Sequence, residues 1–242
     1  MTITFAQLEQ AKAILSKQIV DTPTIEAPRL AQLTNVKKLY LKLDLYQYTG
    51  SFKDRGTLNK LANLTPEQAK NGVIAMSAGN HAQGLAYHAK RMGIPTTIVM
   101  PQATPFNKIE RTRNLGARVL LHGTSLDVAA DYARQVAKKE NLTFVHPYDD
   151  PLIIAGQGTL GLELLDKVKD LDIVVVPVGG GGLIAGIALA VKTLNPAIEV
   201  IGVQTKSYPA VYNAFYQTTG SSQGSTIAEG IAVPSPGGHT LP

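Results

Sequence analysis

The sequence predicts an α/β fold built on parallel sheets, and three observations support this prediction. Short apolar runs rich in β-branched residues alternate with segments of helical periodicity along most of the chain. These runs are apolar throughout, which is typical of strands that helices cover on both faces. The 22 glycines and 14 prolines provide the many tight connections that such an alternation needs.

The elements follow one another in a regular order. The predicted strands are Leu39–Leu45, Val73–Ser77, Thr96–Met100, Arg118–Leu121, Thr143–Val145, Ile173–Val178 and Val200–Gln204. The predicted helices are Phe52–Leu64, His81–Met92, Pro105–Leu115, Leu126–Lys139, Ile154–Val168, Leu183–Thr193 and Pro209–Gln217. Gly93, Gly116 and Gly220 come just after helical segments, where a left-handed cap favours glycine.

Two stretches bear on domain organisation. The polar, turn-rich segment from His146 to Pro151 is the best candidate for a domain break. Ile231–Pro242 is predicted to form a strand and then a turn, with no closing helix. We therefore expect the second α/β unit to be incomplete at its C-terminus.

Composition excludes several classes of protein. The chain has no cysteine, so disulfides and thiolate sites are ruled out. The net charge is +5, but the basic residues are dispersed in no run longer than a pair, so nucleic-acid binding is not expected. A mild positive charge is explained equally well by binding of a small anionic ligand as by binding of a nucleic acid.

Neither a membrane span nor a signal peptide is expected. Ile173–Val191 carries no charge, but Pro177 and four consecutive glycines would break a spanning helix. The first segment, Phe5–Gln18, is amphipathic and contains Glu9 and two lysines, unlike a signal peptide. The expected location is the cytoplasm.

The first motif that carries chemistry is Thr49–Gly56, with Lys53 at the predicted start of a helix. The positive end of the helix dipole and the neighbouring Arg55 are expected to lower the pKa of Lys53. A neutral amine could then attack an aldehyde. Phe52 could form an apolar wall, although a solvated lysine and a packed phenylalanine remain the ordinary alternatives.

The second motif, Ser77-Ala78-Gly79-Asn80-His81, joins a strand to a helix. Backbone N–H groups at such a helix N-terminus can bind an anion such as a carboxylate, and Asn80 could bond a ring hydroxyl. Asn and Ser are also favoured there simply as N-caps. A histidine in a first helical turn is often on the surface, so a role for His81 is open.

The third motif is the glycine loop Gly179-Gly180-Gly181-Gly182, followed by Leu183. Glycines let the backbone approach a phosphate closely, and the helix N-terminus stabilises its charge. The relaxed dinucleotide pattern is met by Gly180, Gly182 and Ala185, so a dinucleotide is only weakly disfavoured. A single phosphate suits the loop at least as well. Together the three motifs indicate a site for pyridoxal 5′-phosphate (PLP).

With these motifs the sequence resembles the serine/threonine dehydratase and serine racemase branch of fold-type II PLP enzymes. Further matching segments are Val99–Pro101 with Lys108, Phe144–Pro151, Ile154–Thr159 and Thr226–Gly230. The resemblance covers essentially the whole chain. It implies a two-domain, tryptophan synthase β-like α/β architecture: residues 1–50 and 147–242 would form the large PLP-binding domain and 51–146 the small one.

The resemblance also implies roles for matching residues. Lys53 would hold PLP as a Schiff base and take the α-proton of the substrate. Phe52 would pack on the pyridine ring, Asn80 would bond its 3-hydroxyl, and Gly179–Gly182 with Leu183 would hold the phosphate. Ser77, Ala78, Gly79, Asn80 and His81 would grip the substrate carboxylate.

The implied reaction is dehydration and deamination of L-threonine to 2-oxobutanoate and ammonia, and of L-serine to pyruvate. A small amino-acid substrate, a homodimer or higher homo-oligomer and a place in isoleucine biosynthesis are implied as well. Ala78 stands where racemases of the branch tend to carry serine, which favours dehydration. Gln204 and Ala210 stand where metal-binding members place acidic ligands, so no metal is expected. Glu229 replaces the more usual aspartate.

Two alternatives remain. No residue here matches the hydroxyl or thiol that family members place opposite the pyridine nitrogen, so the chain could be a truncated, catalytically incompetent scaffold or a split-gene subunit. The other alternative is a different fold-type II reaction such as β-replacement, which the segments Phe144–Pro151 and Thr226–Gly230 argue against.

Overall fold

The computed structural model of the chain describes residues 3–241. Its helices are α1 (Phe5–Leu15), α2 (Pro28–Thr34), α3 (Lys53–Ala62), α4 (Pro66–Asn71), α5 (Asn80–Arg91), α6 (Phe106–Asn114), α7 (Leu126–Lys139), α8 (Pro151–Lys167), α9 (Gly182–Leu194) and α10 (Ala210–Tyr216). Its strands are β1 (Thr24–Glu26), β2 (Tyr40–Lys42), β3 (Val73–Met76), β4 (Thr96–Met100), β5 (Arg118–Leu121), β6 (Thr143–Phe144), β7 (Ile173–Pro177) and β8 (Glu199–Val203). Two short 3₁₀ turns cover Asp44–Tyr46 and Glu229–Ile231.

A parallel four-stranded sheet in the order β5-β4-β3-β6 occupies the middle of the chain. Successive residues of β3 point to opposite faces. Val73 and Ala75 pack with α5 and α6, whereas Ile74 packs with α7. Helices therefore cover both faces of this sheet, as the continuous apolar runs predict.

A second parallel pair, β7-β8, is covered on one face only within the described part of the chain. Val174 and Val176 pack against α8 and α9. The alternate residues Val175 and Val203 are 62% and 49% exposed. The expectation that these strands are buried on both faces is wrong for this pair, because no described helix or loop packs against the outer side.

The long helix α8 lies at the centre of the molecule and contacts α1, α3 and α9. It begins three residues before the predicted helix, since Asp150 caps Leu152 N–H at 2.8 Å and Pro151 is suited to a first helical position. Glycines on α8 allow very close approaches. A Cβ on Gly156 would lie 2.6 Å from Gly56 Cα, and one on Gly158 would lie 2.8 Å from Gly186 O.

Most predicted elements are confirmed within a few residues, but several predictions are wrong. The predicted strand Leu39–Leu45 ends at Lys42, because Asp44 turns inward to accept hydrogen bonds from Thr22 and Arg55. The strand expected after Ile231 is absent as far as residue 241, and residue 242 lies outside the described part. Gly93 and Gly116 do cap helices with positive φ, but beyond α10 the left-handed residue is Gln217 rather than Gly220.

Some elements were not predicted at all: β1, α2 and α4 are short and lack a long apolar period. β1 and β2 pair antiparallel, so the sheets are not all parallel. Among residues 3–241 no helix is long and apolar enough to cross a bilayer.

Candidate active site

One cavity brings the first and third sequence motifs together, although more than 120 positions separate them in the chain. It lies between the start of α3, the start of α8 and the start of α9. Its lining includes Phe52, Lys53, Pro147, Tyr148, Ile153, Gln157, the stretch 177–183, Gly230, Ile231 and Val233. Lys53 and the glycine loop therefore line the same cavity.

Lys53 is the first residue of α3 and its side chain is held by a backbone carbonyl. Its Nζ donates to Pro147 O at 2.5 Å and lies 5.3 Å from the centre of the Phe52 ring. Burial away from water lowers the pKa of Lys53 to about 8. A sizeable fraction of the amine is thus neutral near physiological pH, as nucleophilic attack requires.

The expected cause of this lowered pKa is wrong in one respect. The sequence predicts that Arg55 acts on Lys53, but the fully buried guanidinium of Arg55 binds a separate cluster of carboxylates. It binds Asp44 through two bonds of 2.6 and 2.8 Å and Glu163 through two bonds of 2.6 and 2.9 Å. These carboxylates raise the pKa of Arg55 despite the burial that opposes its charge. Arg55 therefore anchors α3, and burial rather than the charge of Arg55 lowers the pKa of Lys53.

The glycine loop presents unpaired backbone donors. Within residues 3–241, the N–H groups of Gly179–Leu183 have no backbone or side-chain acceptor. Gly181 has φ of +99°, a conformation suited to glycine. A Cβ on Gly180 would overlap the Tyr148 ring, and one on Gly182 would lie 2.7 Å from Tyr148 O. The loop and the first turn of α9 thus form a cradle for an anion.

Lys53 and this cradle fit a cofactor that combines an aldehyde with a phosphate, as PLP does. The amine could form the covalent link, and the free N–H groups could bind the phosphate. A single phosphate accounts for the loop without the longer dinucleotide pattern.

The second motif lies at the N-terminus of α5. Ser77, Ala78 and Gly79 are half-buried and Asn80 is exposed. None of these four lines the cavity of Lys53 and the glycine loop. The turn is therefore not part of the wall of this cavity.

Helix packing brings α5, the helix that follows this turn, against the start of α3. A Cβ on Gly84 of α5 would lie 3.3 Å from the Lys53 carbonyl carbon, so the two helices touch. Next to it, His88 Nε2 and Asp54 Oδ1 form a fully buried pair at 2.7 Å. The start of α3 is therefore locked against the middle and last turn of α5.

His81 is buried, so the surface position considered for it is wrong. Its Nε2 faces Val145 O at 3.1 Å, and since a carbonyl only accepts, Nε2 carries the proton. Burial, reinforced by the charge of Lys53, lowers the pKa of His81 to about 3. His81 is thus a neutral ring whose Nδ1 has no partner in the described chain.

Two polar residues of the cavity, Tyr148 and Gln157, have no role predicted from the sequence. The Tyr148 ring lies against Gly180, and its hydroxyl donates to Ser235 O at 3.1 Å. The Gln157 Oε1 accepts from Gly56 N–H at 3.2 Å, so its buried Nε2 has no partner among the described residues. Helical spacing could have identified Gln157, which lies one turn after Ile153 on the inner face of α8.

No group of three or more metal-ligating side chains occurs in residues 3–241. Gln204 stands where the resemblance places an acidic metal ligand in metal-binding members. Its side-chain amide is used for hydrogen bonds to backbone groups.

The lowered pKa of Lys53 predicts a specific dependence of stability on pH. Between about pH 8 and 10.5 the unfolded chain binds a proton at this lysine that the folded chain has released. The unfolding free energy of the native sequence should therefore rise with pH in this window relative to Lys53→Met, by up to about 3 kcal/mol. Urea unfolding of both proteins at pH 7 and pH 10 measures this, and a constant difference would contradict it.

Comparison with known proteins gives matches over nearly the whole chain. A family model described as pyridoxal-phosphate dependent enzyme matches residues 15–242. L-threonine ammonia-lyase of Thermotoga maritima is 46% identical over 241 residues, which are 99% of this chain and 60% of the relative. The catabolic L-threonine dehydratase TdcB of Staphylococcus aureus is 46% identical over 240 residues, 98% of this chain and 69% of the relative. The chain thus spans 60–69% of the length of these curated relatives.

Among solved structures, serine racemase from Dictyostelium discoideum superposes with a TM-score of 0.91 at 32% identity. The superposition covers 99% of this chain and 77% of the racemase. The predicted resemblance and the predicted fold-type II class are confirmed. The chain belongs to the family of pyridoxal-phosphate dependent enzymes.

Proposed function

We propose that this chain catalyses PLP-dependent dehydration and deamination of a small hydroxy amino acid. The substrate of choice is L-threonine, which yields 2-oxobutanoate and ammonia; L-serine would yield pyruvate. The observation that carries the proposal is the shared cavity of Lys53 and the glycine loop, with donors unpaired in the described chain. The two relatives, a threonine ammonia-lyase and a threonine dehydratase, support the choice of threonine.

The cofactor would be held at three places. Lys53 would form the covalent link, Gly179–Gly182 and Leu183 would bind the phosphate, and Phe52 and Asn80 would contact the ring and its hydroxyl. Once bound, PLP withdraws electrons from the α-carbon of an amino acid and so makes its proton acidic. The base that takes the proton and the groups that bind the substrate must come from the protein.

Lys53 would move the α-proton. A base is most effective when its pKa lies near the working pH, and a pKa of about 8 meets this condition. The carbonyl of Pro147, 2.5 Å from Nζ, would orient the amine between successive proton transfers. Since Pro147 is followed by Tyr148 against the glycine loop, one segment would position both the base and the cradle.

The turn Ser77–His81 would bind the substrate carboxylate through N–H groups at the start of α5. Ala78 carries no hydroxyl, so nothing at that position could return a proton to the opposite face of the α-carbon. This supports elimination over racemisation, even though a racemase shares the fold.

The test is product analysis of the purified chain reconstituted with PLP. We expect 2-oxobutanoate and ammonia in equal amounts from L-threonine, and pyruvate more slowly from L-serine. A thioether formed when a sulfur nucleophile is added would indicate β-replacement instead. D-serine from L-serine without pyruvate would indicate racemisation, and either result would overturn the proposal.

A second candidate is a chain that binds PLP but turns over only together with another polypeptide. The apolar outer face of β7-β8 favours it, because exposed apolar patches of this kind mark contact surfaces. Turnover of threonine by the isolated chain at a rate unchanged by added cell extract would exclude it.

We further propose the division into a large domain of residues 1–50 and 147–242 and a small domain of residues 51–146, a homodimer or higher homo-oligomer, and a location in the cytoplasm. The covering of the four-stranded sheet by its own helices supports the small domain. Exposed apolar side chains such as Leu33, 80% accessible, support self-association. Involvement in isoleucine biosynthesis stays a prediction.

A further inference from the structure

The carbonyl groups of the glycine loop are held from outside the cavity by two side chains. Gln204 Nε2 donates to Val178 O and to Gly179 O, each at 3.2 Å. Thr240 Oγ1 donates to Gly180 O at 2.7 Å, and Gly237 N–H donates to the same oxygen at 3.2 Å. Three successive peptide carbonyls are thus engaged by residues that are distant in sequence.

The planarity of the peptide group gives these bonds a consequence on the opposite side of the loop. In a trans peptide the C=O and the following N–H point in opposite directions. Holding Val178 O and Gly179 O outward therefore directs the N–H groups of Gly179 and Gly180 the other way. Holding Gly180 O does the same for the N–H of Gly181.

Both side chains are themselves fixed, so they can impose a direction. Gln204 Oε1 accepts from Tyr212 N–H at 2.9 Å, which leaves its Nε2 to face the loop. The Thr240 hydroxyl accepts from Gly237 N–H at 3.0 Å, and this turn is tied to Asp149. Asp149 accepts from His239 N–H at 2.7 Å and contacts His239 Nδ1 at 3.0 Å.

The charge of Asp149 is consistent with this tie. Burial acts to raise the pKa of Asp149, but the backbone N–H groups of His239 and Gly238 and the His239 ring outweigh it and lower the pKa. The carboxylate thus stays ionised and continues to hold the turn.

We propose that Thr240 and Gln204 are positioning residues of the anion cradle: they hold the loop carbonyls outward so that the loop N–H groups converge on one phosphate. This inference rests on the proposed function, because that function supplies the phosphate of PLP. It assigns a role to two residues that do not line the cavity themselves. Neither residue contributes charge to the site; each sets the direction of donors that belong to the backbone.

The test compares Thr240→Val, which keeps the shape and loses the hydroxyl, with Thr240→Ser, which keeps the hydroxyl. The probes are inorganic phosphate, PLP and pyridoxal, the last lacking a phosphate. We expect Thr240→Val to weaken phosphate and PLP binding about tenfold, while pyridoxal binding is unchanged. Thr240→Ser should bind all three like the native chain.

A matched control removes a buried threonine hydroxyl elsewhere. Thr112 donates to Lys108 O at 3.0 Å within α6, away from the cavity. Thr112→Val should lower the melting temperature without changing the affinity for phosphate. Gln204→Glu provides a second variant, since a carboxylate cannot donate to the loop carbonyls; it too should weaken phosphate and PLP but not pyridoxal.

Several outcomes would overturn the inference. Native affinity for inorganic phosphate in both Thr240→Val and Gln204→Glu would do so, as would equal losses for PLP and pyridoxal. Failure of the native chain to bind inorganic phosphate would do so as well. If the variants lose phosphate affinity as expected but native Lys53 forms no covalent adduct with PLP, the proposed function fails and the positioning role stands.

Discussion

Lys53→Ala should abolish both the visible absorbance band of PLP bound covalently to the lysine and the formation of 2-oxobutanoate from threonine. The substitution removes the amine that lies in the cavity beside the glycine loop, together with its pKa of about 8. The loss of the base alone should lower the rate by about 10²–10⁴-fold, and the loss of the covalent link adds to it. Absorbance spectra and a coupled assay for 2-oxo acids measure the two effects separately.

The glycine loop is untouched by this substitution, so phosphate affinity should survive it. Lys53→Ala is therefore expected to bind PLP reversibly while the native chain retains it through dialysis. Lys70→Ala is a suitable control, because Lys70 lies in the last turn of the short, unburied helix α4. Unchanged formation of 2-oxo acid in Lys53→Ala would refute the assignment of Lys53.

Arg55→Met should cause a large loss of stability. The guanidinium is fully buried and binds two carboxylates, Asp44 and Glu163, whose side chains are 9% and 20% exposed. Removing it leaves these charges without their main partner, although Lys42 still contacts Glu163 at 2.6 Å. Breaking a buried pair in this way costs about 3–5 kcal/mol, a large share of the stability of a typical domain.

The loss should depend on pH. Burial acts to raise the pKa of Asp44, but in the native chain Arg55 outweighs it and the pKa is lowered. Without Arg55 the carboxylate can become neutral as pH falls, so the deficit of the variant should shrink between pH 7 and pH 5. Urea unfolding at both values measures it.

Arg113→Met is the matched control, because Arg113 forms an exposed pair with Glu110 on the surface of α6. Its effect should stay within about 1 kcal/mol. Equal effects of the two substitutions would show that the Arg55 cluster does not stabilise the fold.

The sequence predicts the central sheet well because its inner strands β3 and β4 are largely buried and its helices have a long apolar period. β4, β5 and α7 have the predicted bounds. Short elements such as β1 and α2 escape prediction, since three to seven residues carry too little periodicity. The open face of β7-β8 could not be foreseen either, because an apolar run does not reveal whether anything covers it.

The candidate site, too, is only partly predictable from the sequence. Lys53 and the glycine loop are visible as local motifs, and the structure brings them into one cavity. The direction of Arg55 is not visible, because its partners Asp44 and Glu163 come from other elements. The role of Thr240 is not visible in the sequence for the same reason, because its contact with Gly180 spans 60 positions of the chain.

Helix α8 carries Gly156 against Gly56 of α3 and, two residues later, Gly158 against Gly186 of α9. Lys53 precedes the first of these contacts by three residues, and the glycine loop precedes the second by a few more. The distance between the Lys53 amine and the anion cradle is therefore set by backbone contacts of α8 rather than by side chains that could be exchanged. Substitutions in the cavity wall could alter which amino acid is accepted while the distance between Lys53 and the glycine loop stays constant. New substrate specificities could therefore evolve without a change in the position of the cofactor.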